Sequence, residues 1–167
     1  MSPRVVLVGA PGSGKSTVGR LLAERLRIGF RDTDADVEST AGKPVSDIFV
    51  EDGEERFRAL EAEAVRLALT EHDGVLSLGG GAVLAEATRE LLAGHRVVYL
   101  EVGLSQAVQR VGLASARPLL VLNPRSQLKK LMDARRPIYE GLAALTVATD
   151  ERAPDEVVEE IVKGLES

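Results

Sequence analysis

Gly9-Ala10-Pro11-Gly12-Ser13-Gly14-Lys15-Ser16 is the stretch on which the reading of this chain turns. It has the spacing G-x-x-x-x-G-K-[ST] of a phosphate-binding loop. Val5-Val6-Leu7-Val8 before it is a short β-branched run, the composition of a buried strand. After it, Val18, Leu21, Leu22 and Leu26 recur at helical spacing. A strand, a glycine turn and a helix N-terminus in that order make an anion trap. Unpaired backbone N–H groups face the loop, and the helix dipole adds partial positive charge. The glycines let the backbone of Gly12, Ser13 and Gly14 curl close around phosphate oxygens. Lys15 has the reach for the β- and γ-phosphates, the Ser16 hydroxyl suits Mg²⁺, and Thr17 is a neighbouring phosphate donor.

The rest of the chain is consistent with one soluble α/β domain. Its 167 residues suffice for one real core and are too few for two large ones. Hydrophobic residues make up 44% and charged residues 28%, the balance of an ordinary globular chain. A net charge of −5 implies no broad basic surface and argues against a general nucleic-acid binder. The absence of cysteine excludes disulfides and Cys-based metal sites, and suits a reducing compartment. Met1-Ser2-Pro3-Arg4 leads straight into the first strand, with no room for a signal peptide, and no apolar run approaches a membrane span. The expectation is a cytoplasmic monomer, with neither nucleic acid nor membrane as partner.

Taken in order, strands and helices alternate. A helix from Gly14 to about Arg27 is followed by a strand over 28–31 that ends at Asp32-Thr33-Asp34. Two carboxylates at the C-terminal end of a strand sit where open α/β sheets place ligands. The alternative is that Asp34 caps a helix over Ala35–Thr40. Ser46-Asp47-Ile48-Phe49 reads as a short capped helix, and Glu54 starts a long one with Phe57, Leu60, Ala64, Leu67 and Ala68 on one face. Arg58 near its first turn opposes the helix dipole, which hints at a role outside the helix; a surface pair with Glu61 is the alternative. Phe49 and Phe57 are either core or the walls of a small ligand site. His72 reads as solvated. Val75–Leu78 is a third strand that runs into Gly79-Gly80-Gly81, where a ligand can approach the backbone closely. A helix over Glu86–Ala93, a strand over Arg96–Leu100 and a helix from Ser105 to about Arg110 follow. Residues 112 to 124 are rich in small residues and bracketed by Arg110 and Arg117; they read as a mobile lid. The next helix runs to Arg135-Arg136-Pro137, then come a strand over Leu145–Thr149 and a last helix with Pro154 in its first turn. Such alternation means a parallel sheet with helices on both faces.

The residues alone give a Mg-nucleotide site, with Asp32 as a direct or indirect Mg²⁺ partner. Beside it lies a pocket with Asp34, Arg58 and a glycine floor, suited to a small polar acceptor carrying a negative group. With those residues in place, the chain resembles the shikimate kinases over nearly its whole length. The marks are Gly-Ser-Gly-Lys-Ser-Thr at 12–17, Asp32-Thr33-Asp34, Asp47-Ile48-Phe49, Gly53-Glu54 with Phe57-Arg58, Leu78-Gly79-Gly80-Gly81, Arg117-Pro118-Leu119-Leu120 and Arg135-Arg136-Pro137-Ile138-Tyr139. The resemblance implies a single domain over 1–167 with the P-loop kinase fold of the nucleoside monophosphate kinases, and a five-stranded parallel sheet in the order 2-3-1-4-5. It implies transfer of the γ-phosphoryl of ATP to the 3-hydroxyl of shikimate, with Mg²⁺, on the route to chorismate and the aromatic amino acids. By the same resemblance Asp34 holds the shikimate hydroxyls and is the candidate for polarising the attacking one. Arg58 and Arg135 bind the carboxylate, Gly79, Gly80 and Gly81 lie along the ring, and Phe49 and Phe57 line the pocket. Arg117 descends from the lid onto the phosphates, and Arg110 with Arg152 to Pro154 flanks the adenine. The sequence departs from the family in its lid, Val111-Gly112-Leu113-Ala114-Ser115-Ala116, and in Gly141, where a looser helix end is expected. The rival is another small-molecule kinase of this fold, such as a gluconate kinase-like enzyme. A GTPase switch would need a guanine-reading Asn-Lys-x-Asp segment, which the sequence lacks.

Overall fold

The computed structural model describes residues 2–111 and 124–166. Five parallel strands form one sheet: β1 (Val5–Val8), β2 (Phe30–Asp32), β3 (Val75–Ser77), β4 (Val97–Glu101) and β5 (Leu145–Ala148). Their order is β2-β3-β1-β4-β5, as expected. β1 is central, with Val5 opposite Val75 on one side and Val6 opposite Val97 on the other. All four of its residues are buried, because helices cover both faces of the sheet.

The period of two along β1 divides the core. Val5 and Leu7 pack with Val18 and Leu22 of α1 (Lys15–Leu26) and with Val157 and Ile161 of α8 (Pro154–Glu166). Val6 and Val8 pack on the other face with Val65 and Leu69 of α4 (Glu54–Glu71) and Tyr139 of α7 (Pro124–Leu142). Each such fully buried aliphatic side chain contributes about 1.5–3 kcal/mol. A satellite core holds α2 (Thr33–Ala41) and α3 (Val45–Asp52) to α4 through Val37, Ile48 and Phe57. Another, from Ala107 of α6 (Leu104–Val111) to Leu128 and Met132, seats the first half of α7. A 3-10 turn over Ala82–Leu84 and α5 (Glu86–Leu92) complete the described elements. The strand order reverses beside β1, so the crevice at the carboxyl ends of β1, β3 and β4 is the place for a ligand.

Several local expectations shift. β2 begins at Phe30 because Ile28 is used by the preceding helix: its N–H donates to Ala23 O at 2.9 Å, closing α1 behind a left-handed Arg27. The cap of α2 is Asp32, whose Oδ1 accepts the Asp34 N–H at 2.9 Å, so Asp34 lies inside the first turn. α3 starts after Pro44, and no local side chain caps it. Glu38 Oε2 reaches across from α2 to take the Val45 N–H at 2.8 Å. On α4 the buried stripe is Phe57, Glu61, Ala64, Val65, Ala68 and Leu69, rotated from the expected one. His72 is not simply solvated, since its Nε2 lies 3.0 Å from Val75 O. α7 does not stop at Pro137 but continues to Leu142. The residues beyond the proline, Ile138, Tyr139 and Leu142, pack into the sheet core, and that burial outweighs the hydrogen bond a proline cannot donate.

Candidate active site

The loop from Gly9 to Gly14 joins the end of β1 to α1. Gly14 holds φ 88 at the N-cap, a left-handed conformation that glycine adopts freely. No side chain caps α1 there, so the first N–H groups of the helix are open to a ligand. Ser13 N–H donates to Ala10 O at 3.1 Å and sets the curl of the loop. Lys15 folds back over it, its Nζ donating to Gly9 O at 2.8 Å and Ala10 O at 3.2 Å. Loop, lysine, Ser16 and Thr17 line one side of a cleft of about 350 Å³, and Asp32, Asp34 and Gly80 line the other.

Ser16 and Asp32 meet inside that cleft. Ser16 Oγ donates to Asp32 Oδ2 at 2.9 Å. Among the described residues no group of three or more acidic or histidine side chains could hold a metal by itself. A hydroxyl and one carboxylate beside a phosphate site are nevertheless the donor set a magnesium ion uses, since it keeps several waters and takes phosphate oxygens as further ligands. The residues present fit that ion.

On the other side of the cleft the three glycines each abut a different charged group. A Cβ on Gly79 would stand 2.6 Å from Asp34 Oδ1 and 2.8 Å from Glu61 Oε2. One on Gly80 would stand 3.4 Å from Arg135 Nη1, and one on Gly81 would meet the Arg58 guanidinium, 2.7 Å from Nη2. Asp34, Arg58 and Arg135 thus converge on one floor from β2–α2, α4 and α7. Arg58 donates to Glu61 Oε1 at 2.8 Å. This is the pair weighed above, but not on the surface, for Glu61 is only 3% exposed. Arg135 is 5% exposed, whereas its neighbour Arg136 faces out and pairs with Asp133 at 3.2 Å. Adjacent helical residues point about 100° apart, so only one of the two can face the floor. Phe57 is wholly buried and packs against Phe49 with ring centroids 4.7 Å apart and the rings tilted by 33°, while the Arg58 guanidinium lies over the Phe57 ring.

A second cavity, about 270 Å³, opens on the far side of the loop and shares Gly14, Thr17 and Arg110 with the first. Arg152 and Pro154 line it, so Arg110, Arg152 and Pro154 come together as expected. Arg110 Nη1 donates to Gly12 O at 3.1 Å and to Thr149 Oγ1 at 3.2 Å, and Nη2 donates to Thr149 O at 3.1 Å. The guanidinium therefore ties the phosphate loop to the end of β5. Arg152 Nη1 donates to Ala148 O at 2.8 Å. Residues 112–123, and Arg117 with them, lie outside the described residues.

Three residues of this neighbourhood have structural roles here that the sequence does not assign to them. Thr33, fully buried, accepts the Gly79 N–H at 3.2 Å and pins the start of the floor. Tyr139 donates its hydroxyl to Gly80 O. Glu61 braces Arg58. Only Glu61 left a signal: it interrupts the apolar spacing Phe57, Ala64, Ala68 on a helix that must bury that face.

Known proteins resemble this chain closely. The family model described as shikimate kinase matches residues 11–166. The shikimate kinase of Thermobifida fusca (strain YX) is 62% identical over 163 residues, 98% of this chain and 95% of that one. A solved shikimate kinase from Acinetobacter baumannii, in complex with shikimate, superposes with a TM-score of 0.92 at 35% identity, covering 98% of this chain and 92% of that one. A gluconokinase from Sinorhizobium meliloti 1021 superposes at 0.60 and 22% identity, covering 99% of this chain and 92% of that one, a likeness of fold alone.

Proposed function

The chain belongs to the shikimate kinase family, and we propose that its cleft transfers the γ-phosphoryl of ATP to the 3-hydroxyl of shikimate. The observation that carries this assignment is the convergence of Asp34, Arg58 and Arg135 on Gly79–Gly81, a floor that joins the cleft of the phosphate loop through Asp34 and Gly80.

Phosphoryl transfer asks a protein for positioning, charge neutralisation and exclusion of water. In this reading the open N–H groups of α1 and the loop cradle the phosphates. Lys15 leaves the Gly9 and Ala10 carbonyls to follow the β- and γ-phosphates, where its charge counts most as negative charge spreads over the transferring group. Ser16 and Asp32 would hold a magnesium ion, which when bound neutralises phosphate charge. Asp34 accepts hydrogen bonds from the acceptor hydroxyls and takes the proton of the attacking one. Arg58 and Arg135 grip the acceptor carboxylate, and a bidentate guanidinium–carboxylate contact of this kind fixes orientation as well as affinity. Arg117 is proposed as a further cation for the transferring phosphoryl group. Arg110, Arg152 and Pro154 flank the base. Phe57 and Phe49 support the acceptor pocket from behind, as the layer beneath Arg58. The scheme calls on no second chain, and the reading is of a monomeric enzyme formed by one domain. A cytoplasmic setting is part of the same reading, and a chain without cysteine is compatible with it.

The test is ADP release with shikimate, gluconate, a nucleoside monophosphate or no acceptor. Release with shikimate and not with the others supports the reading. Preference for gluconate or a nucleoside monophosphate sinks it.

A further inference from the structure

The carbonyls of the glycine floor are not satisfied alike. Gly79 O accepts from Ala82 N at 3.1 Å, and Gly81 O accepts from Leu84 N at 3.1 Å, both within the 3-10 turn. The middle carbonyl, Gly80 O, is met from another element: the Tyr139 hydroxyl of α7 donates to it. Tyr139 is 1% exposed, and its ring lies 5.1 Å from that of Tyr99 on β4, stacked at 28°. Its own ring is thus held by the sheet core, so the hydroxyl has a fixed place.

We propose that Tyr139 is a positioning residue for the acceptor: its hydrogen bond to Gly80 O fixes the floor of the site against Arg135 and Arg58. Two consequences of geometry carry this. A peptide unit is planar, so holding Gly80 O also sets the direction of the Gly81 N–H and the placement of Gly81 beside the Arg58 guanidinium. Glycine peptides have little else to stop them turning, because neither residue has a Cβ. Tyr139 is also four residues beyond Arg135, hence on the same face of α7. One helix face therefore sends an arginine to the floor and clamps that floor with a hydroxyl, and the two cannot drift apart independently. The cavity of Arg110, Arg152 and Pro154 shares none of this, since those residues come from α6, the β5–α8 connection and the start of α8. Gly80 also lines the phosphate-loop cleft beside Pro11, but the two arginines that the clamp aligns face the acceptor, so the effect falls mainly on the acceptor.

The inference rests on the assignment of shikimate as acceptor, so the wild-type enzyme is measured first; lack of shikimate-dependent turnover there would overturn that assignment itself. In Tyr139→Phe the ring and its stacking remain and only the hydroxyl goes. The expected result is a shikimate KM raised about tenfold, the equivalent of one hydrogen bond of about 1.4 kcal/mol. The ATP KM should stay within about twofold. An unchanged shikimate KM in the folded variant overturns the proposal, and so does a parallel rise in both KM values, which marks general loosening. A second measurement serves if Tyr139→Phe does not fold. The chain has two tyrosines, so 3-fluorotyrosine incorporated into a Tyr99→Phe background labels position 139 alone. Its ¹⁹F resonance should move on addition of shikimate and stay in place with a non-hydrolysable ATP analogue. No movement with shikimate, or equal movement with both, overturns the proposal.

Discussion

Ser16 Oγ donates to Asp32 Oδ2 at 2.9 Å, while the other oxygen of the same carboxylate, Oδ1, accepts the Asp34 N–H at the start of α2. One side chain thus orients the hydroxyl of the phosphate loop and fixes the helix that carries Asp34. The two roles separate by substitution. Asparagine caps helices about as well as aspartate, so Asp32→Asn should keep its melting temperature. It loses the charge behind Ser16, and the magnesium requirement of turnover should rise about 10- to 100-fold. Asp32→Ala loses the cap as well, at about 1 kcal/mol of stability. Magnesium titrations of turnover with thermal melts of both variants decide this; an unchanged magnesium requirement in Asp32→Asn contradicts it.

The glycine floor predicts damage to the site without damage to the fold. In Gly79→Ala the new Cβ would stand 2.6 Å from Asp34 Oδ1 and 2.8 Å from Glu61 Oε2, both ends of side chains that can be pushed aside. Displacing a reacting group by about 1 Å can cost about 10²-fold in rate. Gly79→Ala and Gly81→Ala should therefore melt near the wild type, bind ADP normally and lose kcat/KM for shikimate on that scale. Gly141→Ala is the counterpart: it lies in the last turn of α7 with nothing within 4 Å of the new methyl. It should stabilise the protein by about 0.5–1 kcal/mol and leave activity alone. Calorimetry and steady-state kinetics on the three variants test the contrast.

Arg135 and Arg136 should differ sharply despite being neighbours. Arg135 is buried beside Gly80, and Arg136 is exposed beside Asp133. Removing a buried arginine from a carboxylate site costs about 2–4 kcal/mol, so Arg135→Ala should raise the shikimate KM well over tenfold with little change for ATP. An exposed ion pair is worth about 0–1 kcal/mol, and Arg136→Ala should be nearly silent in both constants. The reverse pattern in the kinetics would mean that the arginine facing the floor had been misidentified.

Much of this is legible in the sequence. The loop at 9–16, the β-branched run before it and the alternation after it indicate a parallel sheet with helices on both faces, because each is a local pattern; the strand order follows only from the family resemblance. Pro137 marks Arg135 as the inward one of the two arginines, and Arg135 is the buried one, but it does not mark the helix end. A proline's local cost is visible in sequence, whereas the burial of Ile138, Tyr139 and Leu142 that outweighs it is a tertiary fact. The sequence offers Asp34 as a cap and the structure uses Asp32 for a similar reason: both are good caps, and the choice depends on where β2 ends. Glu61 was weighed as one half of a surface pair, since i, i+3 spacing indicates contact but says nothing about depth. Tyr139 and Thr33 stand in the quoted motifs, but their roles are not legible there, because each acts through a backbone atom far away in sequence.

Tyr99 gives a stability change at alkaline pH. Burial, and then the nearby Glu101 charge, raise its pKa above the ordinary 10.0. The folded state therefore holds the phenolic proton more tightly than the unfolded chain does. That contribution is fully present below pH 10 and is lost as the pH rises from there through the folded-state value. Melting temperatures from pH 8.5 to 11.5 should fall more steeply in the wild type than in Tyr99→Phe, which has no proton to lose. Parallel profiles would show that Tyr99 contributes nothing.

Competition between acceptors shows which hydroxyl the cleft phosphorylates. The enzyme is given shikimate, gluconate and a nucleoside monophosphate together with limiting ATP and Mg²⁺, and the products are read by ³¹P–¹H correlation. The account predicts one new phosphoester, coupled to the proton on C3 of shikimate. A phosphoester on gluconate, on the nucleotide or on another shikimate hydroxyl as the main product would contradict it.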